Sequence, residues 1–205
     1  MTDHDTIQIG TLPPDDELRL IDAARSSPTA FEPLYRHYAP MIYRYCYRQL
    51  GHRDNAADAT SQTFIKAIAA LRSFRPDPTN PGKTFRAWLF RIAGNVVIDH
   101  RRSHRTHRSL DVPDEAADLA RYLVDPGRSP EDLAIASTDK SAVRAALERL
   151  PDRQRGIVEL RLAGLTGEEI AEATGMTLSA VKSAQFRAYA TLRKALLPHI
   201  EGPSR

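Results

Sequence analysis

Apolar residues recur along most of this chain at three- and four-residue spacing, the period of an amphipathic α-helix. Nowhere do they alternate over a length that would suit a half-buried strand. Phe31, Leu34, Tyr35, Tyr38, Ile42 and Tyr45 trace one stripe. Ser27-Pro28 reads as its start, with serine at the cap and proline in the first turn, and Gly51 after Leu50 closes it. Pro40 lies inside the stripe and predicts a distortion rather than an end. A shorter helix over about Asp15–Arg25 comes before it. Asp54 or Asn55 is placed to cap a second helix whose face is Ala56, Ala59, Thr63, Phe64, Ala67, Ile68 and Leu71. Three prolines and a glycine between Arg75 and Gly82 predict a loop. Thr84 then caps a helix from Phe85 to about Ser103, with Trp88, Leu89, Ile92, Val96 and Asp99 on one face and Trp88 in the core.

From Leu110 to about Ser129 the periodicity fades, and acids with Pro113, Pro126 and Gly127 fit a tether carrying a short helix near Ala116–Leu123. Ser129-Pro130 opens another helix, through Leu133, Ala136, Val143, Ala146, Leu147 and Leu150. Pro151 interrupts it, and helices follow over Asp152–Ala163, Gly167–Thr174 and Ser179–Leu196. The pattern predicts an all-α fold of two small helical domains joined by an acidic linker. The segments are 1–26, an acidic extension; 27–108, the first domain; 109–136, the linker; 137–197, the second domain; and 198–205, a tail.

Charge sharpens this division. The net charge is only +3 over 205 residues, but residues 1–26 carry net −4, 27–110 net +9, 111–140 net −5 and 141–205 net +3. Two cationic blocks around an anionic connector suggest two surfaces for a polyanion. The single cysteine, Cys46, excludes an internal disulfide and a four-cysteine zinc site, and its aromatic surroundings suit a buried thiol. The first ten residues lack the apolar run of a signal peptide, and no stretch of 18 apolar residues could span a membrane. A cytoplasmic protein is expected.

Residues 165–181 have helix-turn-helix spacing. Ala171 is small where the two helices cross, Gly175 tolerates the positive φ of the turn, and Val181 backed by Ile170 anchors the second helix. Ser179 can cap that helix and aim its N-terminus at a phosphate. The helix then presents Lys182, Ser183, Gln185, Phe186 and Arg187 toward a major groove.

The helix from Phe85 to Arg102 carries aromatics at its start and an Asn95–Asp99 pair at i, i+4. Its basic end runs from residue 100 to 108 with four arginines and three histidines. A cationic tract beside aromatics suits one DNA strand held by charge and stacking. His100, His104 and His107 share a helix face, but the flanking arginines would repel a metal cation. The histidines could instead titrate near neutrality and tune DNA affinity. No metal, cofactor or catalytic residue is expected. Two rival readings are a self-sufficient helix-turn-helix regulator, whose N-terminal helices bind a ligand or dimerise, and a helical enzyme.

Three signatures in order make the chain resemble the extracytoplasmic-function (ECF) sigma factors of bacterial RNA polymerase. They are Phe31 to Pro40 with Ala57 to Phe64, then Phe85 to Arg102, then Leu147 to Arg155 followed by the helix-turn-helix. The resemblance covers residues 27–105 and 137–197. It implies that the first domain is sigma region two, which binds the β′ clamp helices of the core enzyme through Asp58, Gln62 and Phe64. It implies that Asn95, Asp99, Arg101, Arg102 and Arg105 hold the opened −10 strand. It implies that the second domain is sigma region four, which reads the −35 element through Ser179, Lys182, Ser183, Phe186 and Arg187 and touches the β flap. Members of the family are often held by an anti-sigma protein. The chain departs from the family pattern at Gln62, Gly94, Ala184 and Gln185.

Overall fold

A computed structural model describes residues 12–77, 79–107 and 142–200, and these are helices, turns and loops with no strand among them. The elements are α1 (Pro14–Ser26), α2 (Glu32–Leu50), α3 (Arg53–Ala70), α4 (Phe85–His107), α5 (142–148), α6 (Asp152–Leu162), α7 (Gly167–Thr174) and α8 (Leu178–Ile200). Short 3-10 turns at Pro28–Phe31 and Leu71–Ser73 flank α2 and α3. The expected short helix at 116–123, the helix start at Ser129 and most of the linker lie outside the described residues.

The four N-terminal helices pack because α3 is thin on its inner face. Ala56, Ala59 and Ala67 leave α2 and α4 room to approach, and the Thr60 and Thr63 hydroxyls are satisfied within α3 by donating to the Ala56 and Ala59 carbonyls at 2.7 Å. Leu34, Ile42, Phe85, Leu89, Phe90 and Val96 fill the space between. Phe74, Phe85 and Trp88 cluster at the start of α4 with ring centroids 5.1–5.6 Å apart. Residues 14–26, set apart by their acidity, also join this core, since α1 buries Ile21 and Ala24. The Tyr38 hydroxyl ties α2 to α1 by donating to Glu17. Cys46 is buried as expected, and burial pushes its thiol up to about 12.

Several local expectations are corrected. Ser27 opens a 3-10 turn and pairs with the Thr29 hydroxyl, while α2 begins at Glu32. The residue at the start of α3 is His52, with no side-chain cap, so neither Asp54 nor Asn55 caps it. Ile68 is 41% exposed, because the alanine–threonine face alone fills the gap to α2 and α4. As the pattern predicts, α2 continues past Pro40 and ends at Gly51, where φ is 73°.

In the C-terminal unit, α7 is bounded as the sequence predicts. Thr166 and Glu169 form a reciprocal capping box, with N–H donors at 3.2 and 2.9 Å, and Gly175 ends the helix at φ 68°. Ile157, Leu160, Leu165, Ile170, Val181 and Ala184 belong to the same continuous apolar core as α2–α4, so the two helical units close over one interior.

Candidate nucleic-acid interface

Helix α8 sorts its side chains cleanly. Val181, Ala184 and Ala188 turn inward and are buried, while Lys182, Ser183, Phe186 and Arg187 face out. Phe186 is 77% exposed beside Lys182, Ser183 and Arg187. Two expectations change here. Gln185 is 9% exposed and does not share the outer face, because it follows Ala184 into the groove. The cap of α8 is Thr177, whose hydroxyl accepts from the Ala180 N–H at 3.2 Å, and not Ser179, which stands exposed one step inside the helix.

On α4, Asn95, Asp99 and Arg102 are exposed. The Asp99 carboxylate lies 3.5 Å from Lys66 on α3. Arg101 is partly buried and donates to the Gln49 carbonyl at 2.7 Å and the Gln49 side chain at 2.6 Å, so it also fastens α4 to the end of α2. The backbone of Arg105 continues α4, but its side chain lies outside the described residues, as do those of His104 and His107.

Asp58 and Gln62 are neighbours on α3, joined by a 2.8 Å hydrogen bond, and His100 of α4 approaches Asp58 at 3.3 Å. Phe64 is placed differently from the expectation of a surface contact. It is only 3% exposed and packs edge-on against Phe31 and Tyr35. The exposed apolar residues near that surface are Tyr35 and Ile68, which the periodicity placed on the apolar stripes of α2 and α3, and Ile65, which it did not single out. Ile65 and Ile68 are the apolar residues of α3 that the core leaves exposed.

Asn95, Arg101 and Arg102 line a cleft of about 960 Å³ whose opposite wall is Arg153, Arg155, Gly175 and Met176 of the C-terminal unit. Two ion pairs bridge the units beside it. Arg86 of α4 meets Glu169 through two hydrogen bonds at 2.5 and 3.1 Å, and the Thr84 hydroxyl donates to the same carboxylate at 2.7 Å. Arg48 of α2 pairs with Glu159 of α6. No sequence signal pairs these residues.

Burial favours the neutral form of Glu169, but Arg86, the Thr166 N–H and Thr84 outweigh it and hold the carboxyl below its usual value. A depressed folded value means that this stabilisation is full above the ordinary carboxylate range and is lost as pH falls through the folded value. Glu169→Gln is therefore expected to flatten the acid side of the stability profile, read as urea midpoint against pH, and an unchanged slope would contradict this. Glu17 runs the other way, since burial raises it despite the Tyr38 hydrogen bond, so its contribution weakens as pH rises.

Residues 34–107 match the Sigma-70 region 2 family and residues 140–192 match Sigma-70, region 4. The ECF RNA polymerase sigma factor ShbA of Streptomyces griseus subsp. griseus is 32% identical over 200 residues, covering 94% of this chain and 97% of that protein. The chain belongs to the ECF RNA polymerase sigma factor family. As a sigma factor it directs RNA polymerase to promoters, and the reading as a stand-alone regulator does not fit an N-terminal unit of this kind. The sigma factor is also 35% identical to the ECF RNA polymerase sigma factor BldN of Streptomyces coelicolor over 181 residues, which are 87% of this chain and 65% of that protein. Its structure resembles that of CnrH in complex with the cytosolic domain of CnrY, with TM-score 0.61 and 27% identity over 87% of this chain and 95% of that one. Among the described residues no helix is long and apolar enough to cross a membrane, and no cluster of histidine, cysteine and acid could hold a metal.

Proposed function

We propose that residues 27–108 of this sigma factor serve as the core-binding and −10 unit and residues 137–197 as the −35 unit. The observation that carries the reading is the outer face of α8. Lys182, Ser183, Phe186 and Arg187 stand together over an inward row of Val181, Ala184 and Ala188, which is the layout a recognition helix needs to reach base edges and phosphates. Ser179, exposed at the start of the helix, adds a hydroxyl toward the backbone of the duplex. Phe186 suits contact with a thymine methyl.

On α4, Asn95 and Asp99 face an extruded base of the −10 strand, while Arg101, Arg102 and Arg105 meet its phosphates. Asp58 and Gln62, with the exposed Tyr35, Ile65 and Ile68, form the surface for the polymerase β′ clamp helices. Phe64 supports that surface from beneath. The C-terminal unit also touches the β flap. The complex of CnrH with the cytosolic domain of CnrY supports a protein partner for this chain too, and an anti-sigma protein is the kind proposed. The chain works without a catalytic site, in the cytoplasm, beside the polymerase.

Transcription from a promoter library with core polymerase, paired with gel shifts of duplex DNA with and without core, tests this. Core-dependent transcripts from a common promoter class are expected. Tight, specific duplex binding by the chain alone, with no effect of core, would contradict it.

A further inference from the structure

Two glycines stand inside helices with no backbone reason to be there. Gly94 of α4 and Gly156 of α6 lack the positive φ that would call for glycine, and glycine weakens a helix interior relative to alanine. No neighbour makes either of them necessary. A Cβ on Gly156 would meet nothing within 4 Å, and one on Gly94 would meet the Tyr45 hydroxyl at an ordinary contact distance of 3.6 Å. Both line the cleft between α4 and α6, from opposite walls. The room they leave belongs to the cleft and not to the packing of the chain.

Tyr45 opens onto that room. Its side chain is 6% exposed, its ring packs edge-on against Phe90 at 5.3 Å, and its hydroxyl reaches the cleft in the gap at Gly94. Burial above all pushes this hydroxyl well above the usual tyrosine range, so it stays protonated and can donate. Among the described residues no hydrogen-bond partner occupies it. Around it the cleft is cationic. Arg91, Arg101 and Arg102 of α4 and Arg153 and Arg155 of α6 line it, with Asp152, paired to Arg155, as the acid among them. Five like charges around one partly enclosed space repel one another, and an anion of several charges between them relieves that. Guanidinium groups meet phosphate through paired N–H donors. The floor is apolar, with Phe90, Val97 and Leu160 buried beneath it. At about 960 Å³ the space far exceeds a lone phosphate and lies in the range of small-molecule sites.

We propose that the cleft is a binding site for a nucleoside polyphosphate, whose phosphates are met by arginines of α4 and α6 and whose sugar or base edge accepts from the Tyr45 hydroxyl in the gap at Gly94. What selects this class is a polyvalent cationic rim combined with an apolar floor and one buried donor. A bare inorganic anion would use the rim alone, and a nucleic-acid strand would use the rim without needing the room beneath it. The inference goes beyond the promoter reading and does not depend on which α4 residues meet the −10 strand.

The test titrates the full chain with ATP, with GTP and with inorganic tripolyphosphate by calorimetry at physiological salt. At least one nucleotide is expected to saturate a single site and to bind at least about tenfold tighter than tripolyphosphate, because only the nucleotide reaches the floor. Tyr45→Phe keeps the ring and removes the donor, and is expected to weaken the nucleotide about three- to tenfold. Gly156→Leu fills the cleft from the α6 side with a better helix former, and is expected to weaken it at least about tenfold without lowering the urea midpoint. Arg19→Ala, which removes an exposed arginine of α1 away from the cleft, is expected to leave binding unchanged. The site is overturned if neither nucleotide binds, if tripolyphosphate binds as tightly as the nucleotides, or if Tyr45→Phe and Gly156→Leu leave binding intact. A single-stranded oligonucleotide that loses affinity on Gly156→Leu, with neither nucleotide bound, would assign the room to DNA and overturn it as well.

Discussion

Leu89→Ala is expected to lower the stability of the N-terminal unit by about 2–5 kcal/mol, read as a fall in the urea midpoint. Leu89 is 0% exposed on α4 and is surrounded by residues of α2, α3 and α4 that are themselves closely packed. Truncation removes its transfer free energy and leaves a cavity that alanine-lined α3 cannot collapse to fill. Against a typical total of about 5–15 kcal/mol, such a loss brings a domain close to unfolding. Ile98→Ala, on the same helix but 48% exposed, is the control and should change stability by no more than about 0.5 kcal/mol. Equal effects from the two substitutions would show that α4 does not face the core as described.

The second large effect is functional. Lys182→Ala combined with Arg187→Ala is expected to cut transcription from cognate promoters about 30- to 100-fold, while binding to core polymerase is unchanged. Each side chain is solvent-exposed on α8 and fixed only by its own helix, so its removal costs the fold little. A side chain that meets a base edge or phosphate is worth about 1–3 kcal/mol, and each 1.4 kcal/mol is tenfold. The salt dependence of promoter binding should also become shallower, because fewer counterions are released. The comparison is between transcript yield and core binding by the same preparation. Loss of both together would move these residues from the promoter contact to the polymerase contact.

What was legible in the chain was local. The end of α7 was legible because Gly175 acts on its immediate neighbours. The stripes that build α2, α3 and α4 were readable for the same reason, as was the burial of Val181 and Ile170. Choices between adjacent capping residues were less legible. Thr177 and Ser179 offer the same hydroxyl two positions apart, and the turn after Gly175 decides between them. Phe64 satisfies a family signature and a core stripe at once, and only packing shows that its ring is turned inward. The bridging pairs were not legible at all. Arg86 and Glu169 are 83 positions apart, Arg48 and Glu159 are 111 apart, and no periodicity links residues over such distances.

Cys46 carries a consequence for signalling. A thiol that loses its proton only at about 12 is essentially all protonated at neutral pH, and the thiolate is the form that peroxides and disulfides attack. With Cys46 wholly enclosed and no other cysteine in the sequence, the thiol is poorly placed to react with oxidants at neutral pH. A thiol-based oxidative signal is therefore better received on a partner and passed to this chain by binding.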